Sequence, residues 1–201
     1  LSDYLDRNGR VLVLSDAGTE TGLEDLLLTW DVRLGSDVVS GLTLTGRELF
    51  LNDYAEHPIT ARFKGVTTMF YRPRSVEPAS GVGEAPAAEA ADKPKARVLA
   101  RSSDKGWSDA DIEQMPPRFD PGPDRMGPMG VAVAVEKGSL TGIDVELSPT
   151  RLVVVGDSDF VSNAALRRGV GGNVDFFMGA VNWLLERESL LGISAKNPGI
   201  L

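Results

Sequence analysis

The sequence predicts an α/β domain, three layers built around a mostly parallel sheet. Three observations carry that expectation. Arg10–Leu14 (Arg-Val-Leu-Val-Leu) is an apolar run that empties into a polar loop, Ser15-Asp16-Ala17-Gly18-Thr19. Residues 22–30 then place Leu23, Leu26, Leu27 and Trp30 at helical spacing, and residues 32–39 return as a second apolar strand. Strand, amphipathic helix and strand in that order form the unit from which doubly wound parallel sheets are made. The pattern recurs late in the chain. Residues 151–155 (Arg-Leu-Val-Val-Val) run into Gly156-Asp157-Ser158-Asp159-Phe160, and residues 173–186 follow as a helix with a wide apolar face supplied by Phe176, Phe177, Ala180, Val181, Trp183 and Leu184.

The remaining segments are read in order. Residues 1–8 look like the end of a helix stopped by Gly9. Residues 42–50 are short and mixed. Residues 54–60 form a turn leading to a short helix, because Pro58 disfavours helical backbone at His57. Residues 66–71 have the β-branched and aromatic content of a strand. Residues 77–96 are rich in Ala, Pro, Gly and Glu and lack any aromatic residue. Such a stretch buries too little apolar surface to offset its ordering entropy. It is expected to be a flexible insertion within a single domain spanning residues 1–201, because a strand resumes at 97–101. Residues 102–113 read as a loop with helix-start signals, and 115–128, with five prolines, as a covering loop. Residues 131–135 read as a buried strand joined by 138–147 to the late strand. Residues 193–201 are expected to be peripheral.

Composition excludes several classes of function. The chain has 201 residues, 42% hydrophobic and 25% charged, which is ordinary for a globular domain. Its formal net charge of -8, with no run of Lys or Arg, argues against nucleic acid as a partner. There is no cysteine, so a thiol nucleophile, a zinc-thiolate site and a disulfide framework are excluded within this sequence. A single histidine, His57, restricts metal sites and serine–histidine chemistry. No cofactor, metal site or catalytic residue is assigned. No segment reaches the roughly 20 apolar residues that a membrane-spanning helix needs. The start at Leu1, without methionine and already amphipathic, leads to the expectation that the chain is a fragment of a longer protein.

The candidate ligand-binding residues are Asp16, Asp157, Ser158 and Asp159. All four follow apolar strands, at the carboxyl ends where open α/β sheets place their sites. Asp157-Ser158-Asp159 is similar to the Asp-x-Asp of haloacid-dehalogenase-type phosphatases, in which one carboxylate is the nucleophile, the second the acid/base, and Mg²⁺ lies between them. The motif is late in the chain, however, and lacks a lysine and acidic pair in the order that chemistry requires. The structural alternative is that Gly156 permits a turn while Asp157 to Asp159 supply local turn and capping bonds. The Asp16–Thr19 loop could hold an anion at the start of the next helix, but it carries neither G-x-G-x-x-G nor a P-loop. His57, between Glu56 and Pro58, is a general-base candidate if a hydroxyl lies near it; a hydrogen-bonded structural role is the alternative. Trp107, Trp183 and Phe176-Phe177 are read as core or interface residues.

Several motifs taken together carry a resemblance. These are Tyr4-Leu5, Gly9-Arg10-Val-Leu-Val-Leu, Gly22-Leu23-x-x-Leu26-Leu27, His57-Pro58-Ile59-Thr60, the run from Arg151 to Phe160, and Gly172-Asn173-x-Asp175-Phe176-Phe177-x-x-Ala180-Val181-Asn182-Trp183-Leu184. In that order they resemble the ABC-transporter auxiliary family, which includes the gliding-motility auxiliary component. The resemblance implies a flavodoxin-like sheet, related to class I glutamine amidotransferases without their catalytic cysteine and histidine. It also implies a soluble domain of a longer, membrane-anchored protein, on the extracytoplasmic face of the cell membrane, with the permease and ATPase subunits of an ABC transporter, or other envelope proteins, as partners. The role implied is a non-catalytic accessory one. A small-ligand (saccharide) binding module and a metal-dependent hydrolase using Asp157 and Asp159 are the alternatives.

Overall fold

A computed structural model of the protein describes residues 1–81, 93–138, 148–167 and 171–187. The first part of the chain forms α1 (Ser2–Leu5), β1 (Arg10–Leu14), α2 (Glu24–Thr29), β2 (Val32–Leu34), β3 (Val38–Ser40), β4 (Glu48–Leu51) and β5 (Asp53–Tyr54). Next come β6 (Thr68–Tyr71), β7 (Val76–Pro78), β8 (Lys95–Arg101), β9 (Trp107–Asp109) and β10 (Arg125–Met126). The last part comprises β11 (Gly130–Lys137), β12 (Thr150–Val155), a 3-10 turn (Asp159–Val161), α3 (Asn163–Arg167) and α4 (Gly171–Leu184).

The central sheet has five strands in the order β1-β12-β11-β8-β5. Side chains of successive strand residues point to opposite faces, and here both faces are apolar. Val153 and Val155 of β12, with Ala132 and Ala134 of β11, join a core containing Phe160, Phe176, Ala180 and Trp183. Leu152 and Val154, with Val133 and Val135, join a second core containing Leu5, Leu27, Trp30, Val32 and Val76. α4, the 3-10 turn and the β4–β6 pair therefore cover one face. α1, α2 and the β2–β7 pair cover the other.

The expected three-layer, mostly parallel architecture, flavodoxin-like and glutamine amidotransferase-like, is not what forms. Among the described strand pairs, β1 with β12 is parallel, whereas β12–β11, β11–β8 and β8–β5 are antiparallel. Three small antiparallel sheets accompany the central one: β10-β9-β3, β2-β7 and β4-β6. Two physical causes account for the difference. Strands β11 and β12 are neighbours both in sequence and in the sheet, and the connection from residue 138 to 149 is short for the crossover that a parallel pair needs. In addition, the strand after α2 does not return to the central sheet. It stops at Leu34, and β2 pairs β7 in a separate ribbon.

The single strand expected over residues 32–39 is in fact two. Asp37, between β2 and β3, is buried, and its carboxylate accepts the N–H and hydroxyl of Ser75, each at 2.9 Å. That side-chain bonding competes with a continuous ladder. No helix forms after His57; the segment closes as turns, with the Thr60 N–H donating to the His57 carbonyl at 2.9 Å. Weak strands β9 and β10 occupy stretches read as loops. The insertion expected over 77–96 is narrower at both ends, since Glu77 and Pro78 belong to β7 and Lys95 and Ala96 to β8. Its centre, residues 82–92, lies outside the described residues, as do the connection at 139–147 and the peripheral tail at 193–201.

Two glycines set how closely the layers approach. A Cβ on Gly156 would lie 2.1 Å from the Arg74 carbonyl oxygen, and one on Gly172 would lie 2.2 Å from that of Thr67. Neither backbone atom can rotate away, so the turn after β12 and the start of α4 both require the missing side chain.

Candidate functional site

The parallel pairing of β1 with β12 brings the two strand-end loops together. The Ser15 N–H donates to the Val155 carbonyl at 3.0 Å, extending the pairing one residue beyond β1. Asp16 then faces Ser158, which donates its N–H and its hydroxyl to the two oxygens of Asp16 at 2.6 and 2.7 Å. Asp157 turns inward and is 1% exposed. Its oxygens accept the Tyr71 N–H at 2.6 Å and the Asp159 N–H at 2.7 Å. The four residues singled out from the sequence thus meet at one place, and three of them are committed to holding strand ends together. Asp159 remains on the surface, at the rim of a cleft of about 300 Å³ also lined by Asp16, Tyr71, Arg72, Ile112 and Glu113.

Arg74 is the residue of this site that the sequence did not reveal. It is 5% exposed and donates Nε to the Gly35 carbonyl at 2.6 Å. Its Nη1 donates to Ser15 Oγ at 3.1 Å and to the Thr19 carbonyl at 2.9 Å. The guanidinium therefore fixes the loop that carries Asp16, using its planar fork of donors. An arginine flanked by Pro73 and Ser75 in a short segment gives no periodic signal, so only the packing identifies it.

Burial raises the Asp157 carboxyl from 3.8 to about 7. The two N–H bonds favour the charged form and oppose that rise, while the negative charges of Asp16 and Asp159 add to it. The folded protein therefore holds a proton on Asp157 at pH values where the unfolded chain has released it. Stability from this group is fully present near pH 4, falls as pH rises toward 7, and is constant above. We expect the native protein to lose about 1.4 kcal/mol per pH unit in that window relative to Asp157→Asn, which cannot ionise. Urea unfolding of both proteins at several pH values checks this, and parallel stability profiles would refute it.

His57 is placed far from these carboxylates, at the opposite end of the sheet. Its Nδ1 accepts the Ile59 N–H at 3.2 Å, and its ring meets Trp183 edge-on at 5.0 Å. Burial first, then the positive charges of Arg97 and Arg151, hold it down at about 4. It is thus neutral with its proton on Nε2. No hydroxyl donates to it among the described contacts, so the general-base reading has no partner here.

Trp183 packs in the core as read, and Trp107 lies in β9. Among the described residues, no group of three or more His, Asp or Glu side chains is arranged to hold a metal ion, and no helix is long and apolar enough to cross a membrane.

The site and sheet together define a class: a mixed, mainly antiparallel β domain with helices and ribbons over both faces and a polar turn cluster where β1 and β12 run parallel. A solved structure, the mmIFT52 N-terminal domain, is similar in fold to this chain with a TM-score of 0.58 at 13% identity, over 92% of this chain and 68% of that one. At that identity the likeness concerns the fold alone. No family model matches the chain, and no curated protein does.

Proposed function

We propose that this chain is a non-catalytic binding domain, serving as an accessory domain of an ABC-type transport system on the extracytoplasmic face of the cell membrane. The observation that carries the non-catalytic part is the commitment of the strand-end carboxylates. Both oxygens of Asp157 accept backbone N–H groups within the fold, and both oxygens of Asp16 accept from Ser158. A carboxylate nucleophile must reach its substrate; Asp157, at 1% exposure, is closed off from one. The motifs shared with the transporter auxiliary family support the choice of permease and ATPase as partners.

Affinity purification of the protein from its native membrane tests this reading. Permease and ATPase subunits are expected to co-elute. Turnover in a broad hydrolase screen, lost on Asp159→Asn, would overturn it.

A second reading has its own observation. In the strand-end cleft, Asp159 and Glu113 present carboxylates beside Arg72 and the ring of Tyr71. Hydrogen-bonding groups of both signs next to an aromatic side chain suit a small polar ligand such as a saccharide. Thermal-shift measurements against a panel of sugars are expected to give a stabilisation that Asp159→Asn removes. Flat responses throughout would dismiss it.

A further inference from the structure

A second concavity lies at the other end of the central sheet, and its charge is opposite to that of the protein as a whole. Its volume is about 290 Å³, and its lining includes Lys93, Lys95, Arg97, Glu136, His57 and Trp183. The arrangement follows from strand geometry. Lys95 and Arg97 are two apart on β8, so both side chains leave the same face of the sheet. The register sets Arg97 beside Ala134 and Lys95 beside Glu136 on β11. Arg151 stands across from Glu136 on β12. Lys93, in the bend just before the strand, also lines the cavity.

Among the described residues the charges do not cancel. Glu136 is taken by Arg151, whose Nε donates to it at 3.0 Å. Arg151 is itself buried beneath Trp183, with its guanidinium carbon 4.6 Å from the ring centroid and Nη1 donating to the Trp183 carbonyl at 2.6 Å. No salt bridge to Lys93, Lys95 or Arg97 exists among the described residues. Three cations therefore surround one cavity in a chain whose net charge is -8. Solution screening acts over roughly 8 Å at physiological salt, so the groups lining the cavity weigh more than the net charge of the chain. His57, in the wall, is held neutral chiefly by burial and, in addition, by the charges of Arg97 and Arg151.

We propose that this cavity is a binding site for a small ligand bearing a phosphate-type dianion, with Arg97 and Lys95 holding the anion and Lys93 closing over it. Arginine offers a planar fork matched to phosphate oxygens, and lysine a mobile point charge. Trp183, Pro58 and Ala134 supply an apolar wall for the organic part of the ligand. The site stands on this geometry and is independent of the accessory role proposed above.

The single histidine of the sequence makes the test direct, because His57 gives one set of imidazole resonances from within the cavity wall. Pyrophosphate is titrated into the protein at constant ionic strength while those resonances and the Trp183 indole are followed. In parallel, the protein is sedimented with phosphatidylcholine vesicles with or without phosphatidic acid. Saturable shifts with pyrophosphate support a soluble phosphate ligand. Cosedimentation that requires phosphatidic acid, without a pyrophosphate response, supports a lipid headgroup as the source of the same chemistry. Lys95→Gln and Arg97→Gln lie on partly or fully exposed side chains and leave the core intact. Each is expected to weaken binding about tenfold, equivalent to about 1.4 kcal/mol. Lys137→Gln, whose ammonium lies over the Trp30 ring instead, is expected to bind as the native protein does. Absence of both responses, or equal binding by all three variants, would overturn the proposal.

Discussion

Asn173→Asp is expected to cost the domain about 3–5 kcal/mol, a large share of the stability of an ordinary domain. Asn173 is 1% exposed at the start of α4. Its Oδ1 accepts the Met69 N–H at 2.8 Å, while its Nδ2 donates to the carbonyls of Met69 at 2.8 Å and Phe160 at 2.7 Å. The amide thus extends the hydrogen bonding of β6 and ties it to the 3-10 turn that follows Asp157. A carboxylate of the same shape can still accept from Met69 but faces two carbonyl oxygens with nothing to donate. Either the charge is buried against them, or the group takes up a proton and stability becomes greater at low pH. Equilibrium urea unfolding at neutral pH measures the cost; a loss below about 1 kcal/mol, the net worth of one ordinary hydrogen bond, would show that these contacts are not made.

Phe176→Ala is expected to cost a comparable amount, about 3–5 kcal/mol, by a different mechanism. Phe176 is fully buried, with ring centroids of Phe63, Phe70 and Phe160 at 5.9, 6.2 and 6.2 Å, each in an edge-on arrangement. Removing the ring leaves a cavity bounded by three other rings that cannot all move inward, and it forfeits the edge-to-face contacts as well. Phe176→Leu retains much of the apolar volume and is expected to cost less. The ordering of the two variants in denaturant midpoint checks the mechanism: equal losses would mean that the site collapses freely and that the ring cluster contributes little beyond hydrophobicity.

These two residues show what was legible in the sequence and what was not. Phe176 could be read directly, because its burial follows from its place on the apolar stripe of a helix, a local periodicity. Asn173, three residues earlier, was visible only as part of a motif. Its partners Met69 and Phe160 come from other parts of the chain, and no local pattern encodes which carbonyls an amide will meet. The same division holds for the candidate site. Strand-then-turn patterns placed Asp16 and Asp157 to Asp159 at strand ends, and the parallel β1–β12 pair brought them together. That Asp157 is turned inward, accepting the Tyr71 N–H, while Asp159 stays exposed was decided by β6, which the sequence did not connect to either loop. The cationic cavity had a faint signal, since Lys93, Lys95 and Arg97 alternate along one segment. It becomes a site only when β11, α4 and the His57 turn close around it.

The sequence by itself determined which segments are strands and helices where the apolar pattern is strong: β1, β6, β8, β11, β12 and α4. It also determined that cysteine chemistry is absent. The direction and partnership of those strands were decided by tertiary structure alone. β11 and β12 carry the same continuous apolar run that a buried parallel strand would, because both faces of the central sheet are covered, and that burial pattern is identical whichever way a neighbour runs. Direction depends on how successive strands are connected and on where β2 finds its partner. The charges follow the same rule: the net value of -8 is a property of the sequence, but the gathering of three cations around one cavity is a consequence of the register that sets β8 against β11.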